Sequence, residues 1–386
     1  MLGRSYDKDS KYFGAESGQT VRKFMNSKER LRQLAQYIIK IDDREIVDFY
    51  PFLTQVNVET SRTEAAVCTL TFVSMRNERG MWNIQDSALW SPWRRISIEA
   101  VFGTYRAEIM RGFIRSIQLD YPDDMSASVT VTGQDESILL YRTHVQKTYS
   151  TFEQPLKDEL LIRELLKPNW TGNQVNAAEG TTCGNLYFEG TPISLIRDRA
   201  ALNGYEFFIR EGKVYFGPPR LTGEPQPVIS VYAGKASNCS KFSVRQLPDG
   251  IQPEVKPGKS CSSVSQAFGT TVACRKEHGL WHIHMPRGHT LSKCEARAKT
   301  NAKEAAWKIS ATGELDGSAY GHVLLPNRTV RVDGIGSTYS GLWYVDEVKH
   351  SFSADGYRQS FKLLRHATWE MGMPVKPEAL AQLRQR

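Results

Sequence analysis

The sequence has no uninterrupted apolar run near the roughly 18 residues that a bilayer-spanning helix needs. Its opening stretch, Met1 to Tyr12, is charged and holds no apolar signal core. These absences predict a chain made in the cytoplasm, with no membrane insertion. Cysteine is sparse: Cys68, Cys183, Cys239, Cys261, Cys274 and Cys294 are scattered over more than half of the length. Disulfide frameworks belong to short, cysteine-dense secreted chains, so reduced and mostly buried thiols are expected. Blocks of one charge sign are also lacking. The formal net charge is +8, but the lysines and arginines are dispersed. That permits contact with nucleic acid or an acidic surface without building a recognition stripe. Catalytic signatures are missing as well. No Gly-x-Ser-x-Gly elbow accompanies His144 or His350. No carboxylate pair stands out among the 42 acidic residues. Gly334 and Gly336 lie between strand-like runs with no following helix, unlike a dinucleotide fingerprint. Neither an enzymatic activity nor a cofactor is expected.

What is present is mostly a period of two. Gln55–Val58, Ala66–Val73, Arg95–Phe102, Arg106–Leu119 and Met125–Thr132 are rich in β-branched and aromatic residues and read as strands. Five or more such strands at short spacing suggest a barrel or sandwich. Before them, Asn26 and Glu29 form a capping box, and Leu31, Leu34, Ala35, Ile38 and Ile39 share one face at helical spacing, so residues 1–45 read as an extension with a helix. Between 150 and 225 the pattern changes. Pro155 and Pro192 each open a helix, Gly204 ends the second, and Tyr205–Phe216 reads as a hairpin turning near Glu211-Gly212. Strands resume at Val228–Tyr232 and Lys241–Arg245. Residues 246–317 read as a long loop followed by an Ala-rich helix carrying Ala296, Ala302, Ala306 and Ile309. Thr329–Val332, Leu342–Phe352 and Tyr357–Leu364 close the β pattern, with Ser353–Gly356 as a turn, before a tail at 366–386.

One cluster has metal-like chemistry: Cys274, His278, His282 and His284, with His289 and Cys294 nearby. His282 and His284 fall on one side of a strand, and a Cys/His set suits zinc or iron. The spacing matches no established ligand pattern, and a polar strand face or subunit contact is the alternative.

Two stretches echo each other: Gly112–Ile117 with Ser126–Thr132, and Trp343–Val348 with Tyr357–Leu363. The second sits in a longer segment, Gly336-Ser-Thr-Tyr-Ser-Gly-Leu-Trp-Tyr-Val-Asp-Glu-Val-Lys-His350, then Gly356-Tyr-Arg-Gln-Ser-Phe361 and Leu364-Arg365. This ordered set resembles the contractile phage tail hub family, the late control D proteins, and the hub part of type VI secretion spikes. Thr191-Pro-Ile193 through Tyr215-Phe-Gly-Pro-Pro219 is similar to that family's mid-chain insert. The N-terminal extension and the stretch 246–290 depart from the family's pattern.

The resemblance implies a mainly β chain with an α+β insert: two tube-like antiparallel β-barrels plus a small helix-hairpin domain. Its expected divisions are a first barrel at 46–149, the insert at 150–225, and a second barrel at 226–245 with 318–365. It implies a structural baseplate or tail hub, a homotrimer with pseudo-six-fold symmetry joining a six-fold tail tube protein to a three-fold central spike protein around an axial channel. Baseplate wedge proteins and the tape measure protein are expected partners, with DNA only in transit, and the virion tail baseplate is the expected location. Trp343, Tyr344, His350, Tyr357, Trp369 and Met371 are the candidate interface residues. Other readings are the hub of a related injection or type VI-like machine, a carbohydrate- or receptor-binding tail protein displaying Trp82, Trp90 or Trp93, and a cell-wall hydrolase.

Overall fold

The computed structural model describes residues 35–122, 126–246, 255–256, 270–276, 279–285 and 307–366. Thirteen strands join in one sheet. In chain order they are β1 (Gln36–Ile41), β2 (Arg44–Glu45), β3 (Leu53–Ser61), β4 (Val67–Met75), β5 (Arg95–Phe102), β6 (Tyr105–Asp120), β7 (Ser126–Asp135), β8 (Gln226–Ser230), β9 (Cys239–Gln246), β10 (Trp307–Asp316), β11 (Thr329–Asp333), β12 (Gly341–Ser353) and β13 (Gly356–His366). Side by side, they run β9-β10-β13-β12-β3-β4-β7-β6-β5-β1-β2, with β11 on the outer part of β12 and β8 parallel to β11.

The expected pair of closed barrels is therefore corrected. Among the described residues neither group of strands closes on itself through its hydrogen bonds, and the β3–β12 ladder, from Val56↔Phe352 to Ser61↔Glu347, merges them into one sheet. Two separate cores nevertheless remain. The first gathers Ile39, Ile98, Leu70, Phe72, Ile114 and Val131; the second gathers Ile229, Leu315, Val332, Trp343, Phe361 and Leu363. Each core arises because inward side chains alternate with polar ones along strands that curl over them.

A third core lies between these strands in sequence. Helices α1 (Asp158–Leu166) and α2 (Pro192–Asn203) pack Leu161, Ile162, Leu165, Ile193 and Ile196 against Val214 and Phe216 of the hairpin Glu206–Arg210/Lys213–Gly217. Helix α1 begins after the two-residue strand Leu156–Lys157, three residues later than Pro155 suggests. A buried polar junction ties this unit to both others. Tyr344 O–H and Asn327 Nδ2–H donate to Glu206 Oε2 at 2.7 and 3.0 Å, and Arg62 Nε–H donates to Asp346 Oδ1 at 3.1 Å. Burial raises the Glu206 pKa. Groups this enclosed are costly to leave without partners, so the junction fixes the insert's position.

Two local readings change. Ile38 and Ile39 belong to strand β1, not to a helix: their register with Glu99 and Ile98 of β5 overrides an apolar spacing that also fits a helix. Residues 307–316, read as the end of a helix, form β10 between β9 and β13. Within the expected long loop, Thr270–Lys276 and Gly279–Met285 pair antiparallel, with Val255–Lys256 alongside. The capping box at Asn26, the alanines of 296–306 and the tail beyond 366 lie outside the described residues.

Candidate assembly surface

Alternation decides what each face of the sheet displays. In β4, Cys68, Leu70 and Phe72 enter the first core, while Thr69 and Thr71 face the other way. In β7, Val129 and Val131 point in, opposite Thr130 and Thr132. In β12 and β13, Val348, Phe361 and Leu363 point in, while Glu347, Lys349, Ser351, Arg358, Ser360 and Lys362 face out. Register aligns these outward residues. Ser116, Thr132, Thr69, Asn57, Ser351 and Arg358 follow one another across six strands. The polar face thus crosses the seam between the two β units without a break. Its charges neutralise one another: Lys349 pairs with Glu59 at 2.8 Å, Arg358 with Glu314 at 2.6 Å and Lys362 with Glu347 at 3.3 Å. Such exposed pairs add little stability. Their consequence is a wall of hydroxyls and compensated charge, to which a polyanion would bind only weakly.

The eight strands from β9 to β6 form a block whose ends are open. Among the described residues β9 pairs only with β10, leaving its other edge free, while Phe242 and Val244 of this strand turn inward, half-buried against the second core. Strand β6 pairs with β5 through Tyr105–Phe113 and with β7 through Gly112–Asp120, so among the described residues Ser116–Asp120 has a partner on one side only. Ile117 is half-buried and Leu119 is 40% exposed on that stretch. All seven ladders between these eight strands are antiparallel. The two end strands consequently run in opposite directions. Unpaired edges with apolar side chains are templates for another chain.

The residues singled out from sequence fall elsewhere. Trp343, Tyr344 and His350 are 0% exposed and Tyr357 is 3% exposed. Their side chains serve this chain's own interior. Trp343 Nε1–H donates to Tyr339 O at 2.9 Å beneath the Arg365 guanidinium, and His350 Nδ1 meets the Tyr357 hydroxyl at 2.8 Å. Trp369, Met371 and His278 lie outside the described residues. Of the metal-like set, Cys274 stands on one strand and His282 and His284 on its antiparallel partner, opposite Trp281, Ala273 and Thr271 respectively. Trp90 is buried in the first core, Trp93 sits under Arg142, and Trp82 packs edge-on against Tyr121. The free edges are not legible because pairing partners are not written in local periodicity; the polar alternation of Thr69, Thr71, Lys349 and Ser351 signals only the polar face.

His350 gives the protein a specific acid response. Burial, with the Arg210 charge adding to it, pushes its pKa down to about 3 from the ordinary 6.5. The unfolded chain takes up a proton here below about pH 6.5 while the folded chain does not. Stability is therefore lost as pH falls from 6.5 towards 3, at about 1.4 kcal/mol per unit. Glu206 and Asp135 act oppositely, since burial raises both carboxyls and the folded chain protonates them first. Comparison with His350→Gln isolates the ring. Between pH 7 and pH 5 the parent should lose about 2 kcal/mol relative to the variant in urea unfolding. Parallel stability curves would contradict a buried neutral imidazole.

Solved structures of low sequence identity share this fold. A tail protein from Neisseria meningitidis superposes with a TM-score of 0.61 at 14% identity, covering 87% of this chain and 98% of that one. A 43 kDa prophage tail protein from Shewanella oneidensis gives 0.60 at 14% identity, covering 86% and 98%. An E. coli component of the type VI secretion system, described as structurally similar to bacteriophage T4 tail proteins, gives 0.54 at 10% identity, covering 87% and 79%. No curated protein sequence matches. The family model that matches is not that of a tail hub: it is described as the Alg8 N-terminal domain and spans residues 32–236, just over half of the chain, so the chain belongs to the Alg8 N-terminal domain family.

Proposed function

We propose that this chain is a structural hub of a contractile tail. Three copies form a pseudo-six-fold ring between a six-fold tail tube and a three-fold central spike. Residues 46–149 supply one tube-like β unit, and residues 226–245 with 307–365 the other; the 150–225 insert hangs from their junction. The observation that carries this reading is the block of eight alternating antiparallel strands with two free edges. Because the ends run in opposite directions, a second copy related by rotation about an axis inclined to the strands, which offsets one copy's register against the next, can set its β9 antiparallel to Ser116–Asp120 of the first. The same ladder can then continue from copy to copy. Heterologous contacts of this kind form rings when the rotation closes, and three copies present six β units to the tube.

The polar face of the block supports its use as the channel wall. Hydroxyls and mutually compensated charges suit the passage of a tape measure protein and of DNA, which must be guided without being held. Baseplate wedge proteins would dock outside the ring, which sits in the virion tail. The shared fold with the E. coli type VI component supports equally the hub of a related injection machine. A structural rather than enzymatic role is part of the same reading.

The test is at the β9 edge. Ser243→Lys places a charge at an exposed position of this strand, where the neighbouring chain would pair. Sedimentation should show a trimer for the parent and, for the variant, a dissociation constant at least about tenfold weaker, with a near-parental melting transition. A variant that trimerises as tightly as the parent would sink the proposed seam.

A further inference from the structure

At the end of the block where β6 stops and β9 starts, the chain displays two partly exposed apolar features. On the β6 side lie Leu119, Tyr121, which is 56% exposed, and Trp82, whose ring meets Tyr121 edge-on at 5.5 Å. On the β9 side, Tyr232 is 90% exposed, more than any other large apolar side chain described. Its φ of 52° is one that residues with side chains seldom adopt.

The loop that holds Tyr232 is pinned. Ser230 N–H donates to Asn238 Oδ1 at 2.9 Å, Asn238 N–H returns to Ser230 O at 3.2 Å, and Asn238 Nδ2–H donates to Val228 O at 3.0 Å. Asn238 immediately precedes β9. The tyrosine is thus presented from a fixed base beside the first residue of a free edge strand, at a backbone conformation that costs about 1 kcal/mol or more. A ring 90% exposed adds little to this chain's own packing; what sets it apart from an ordinary exposed tyrosine is its fixed base beside a free edge.

Strand direction brings the two features together. Strand β6 runs towards Asp120 and Tyr121 at this end, while β9 runs away from it, beginning at Cys239 opposite Leu315. When β9 of one copy lies antiparallel to Ser116–Asp120 of the next, Asp120 and Cys239 fall at the same end of the new ladder. The Val231–Asn238 loop then stands over Leu119, Tyr121 and Trp82 of the neighbour. We propose that Tyr232 is an anchor that seats in this aromatic patch on a second copy of the chain and locks the seam. The inference rests on the ring reading above and adds to it a specific contact. Tyrosine suits the role: it brings a large contact area with few rotors and leaves its hydroxyl at the wet rim.

The test uses the full chain with a photo-reactive phenylalanine analogue at position 232, together with Tyr232→Ser. Irradiation of the purified trimer should join position 232 of one copy to peptides holding Trp82 or Leu119–Tyr121 of another, and Tyr232→Ser should weaken trimerisation roughly tenfold without moving the melting transition. Cross-links confined to other surfaces, or a Tyr232→Ser trimer as tight as the parent, overturn the anchor while a parental trimer leaves the ring standing. If the parent itself sediments as a monomer or dimer, the ring reading fails and the anchor fails with it.

Discussion

Gly112→Ala is expected to abolish the native fold of the first β unit, lowering stability by about 4 kcal/mol or more. Strand β6 changes partners at this residue: Gly112 is in register with Ile96 of β5 on one side and Asp135 of β7 on the other. A β-carbon there would lie 1.9 Å from Gln134 O and 2.6 Å from Asp135 Cα, both rigid backbone atoms of the neighbouring strand. The cost is steric and not conformational, because Gly112 does not adopt a positive φ. Moving β7 away would break the ladder that carries β6 on to the free edge at Ser116–Asp120. Assembly should therefore be lost with the fold. Gly172→Ala, where an added carbon meets nothing within 4 Å, is the control and should change stability by less than about 0.5 kcal/mol. Urea unfolding of both variants measures the difference; a soluble Gly112→Ala protein with parental stability would contradict the crossing of β6 between the two ladders.

Asp158→Ala is expected to destabilise the insert by about 3–5 kcal/mol. Asp158 is fully buried at the start of α1 and accepts from Arg199 Nε–H at 2.5 Å, Thr181 N–H and Oγ1–H at 2.9 Å each, and Asn203 Nδ2–H at 2.7 Å. One carboxylate thus holds α1, α2 and the strand at Thr182–Cys183 together. Removing it leaves the Arg199 guanidinium, 5% exposed, without its counter-charge. Replacing both partners at once, Asp158→Leu with Arg199→Met, should cost far less than either single change, because no buried charge is then stranded. Hydrogen exchange should report opening within 156–217 while β3, β4 and β7 stay protected. Uniform loss of protection across the chain would mean that the insert and the sheet unfold as one body.

Much of the β character was legible because it is local. Ala66–Val73 alternates with a period of two, and the Leu342–Phe352 and Tyr357–Leu364 runs flank a Ser353–Gly356 turn whose Gly356 adopts a φ of 103°. What could not be read is what each strand lies beside. Residues 307–316 alternate, yet the alanine-rich stretch before them extends a helical spacing as far as Ile309, and only the ladders with β9 and β13 decide between the two. Ile38 and Ile39 were misread for the same reason, two adjacent apolar residues being compatible with either period. The resemblance implies Trp343, Tyr344, His350 and Tyr357 as interface residues. Large aromatic and imidazole side chains serve interiors as well as interfaces, and here all four are buried within the chain. The free edges carry no side-chain signature, since their defining property is a row of unpaired backbone groups.

The central claim is a ring of three chains whose eight-strand blocks join edge to edge around a channel. Electron cryomicroscopy of the assembled particle tests it most directly. The expected map has three-fold symmetry, β9 of each copy antiparallel to Ser116–Asp120 of the next, and the Thr69, Thr71, Lys349 and Ser351 face turned to an open axis. A two-fold dimer, a ring with no axial opening, or a ring in which either edge stays unpaired would contradict it.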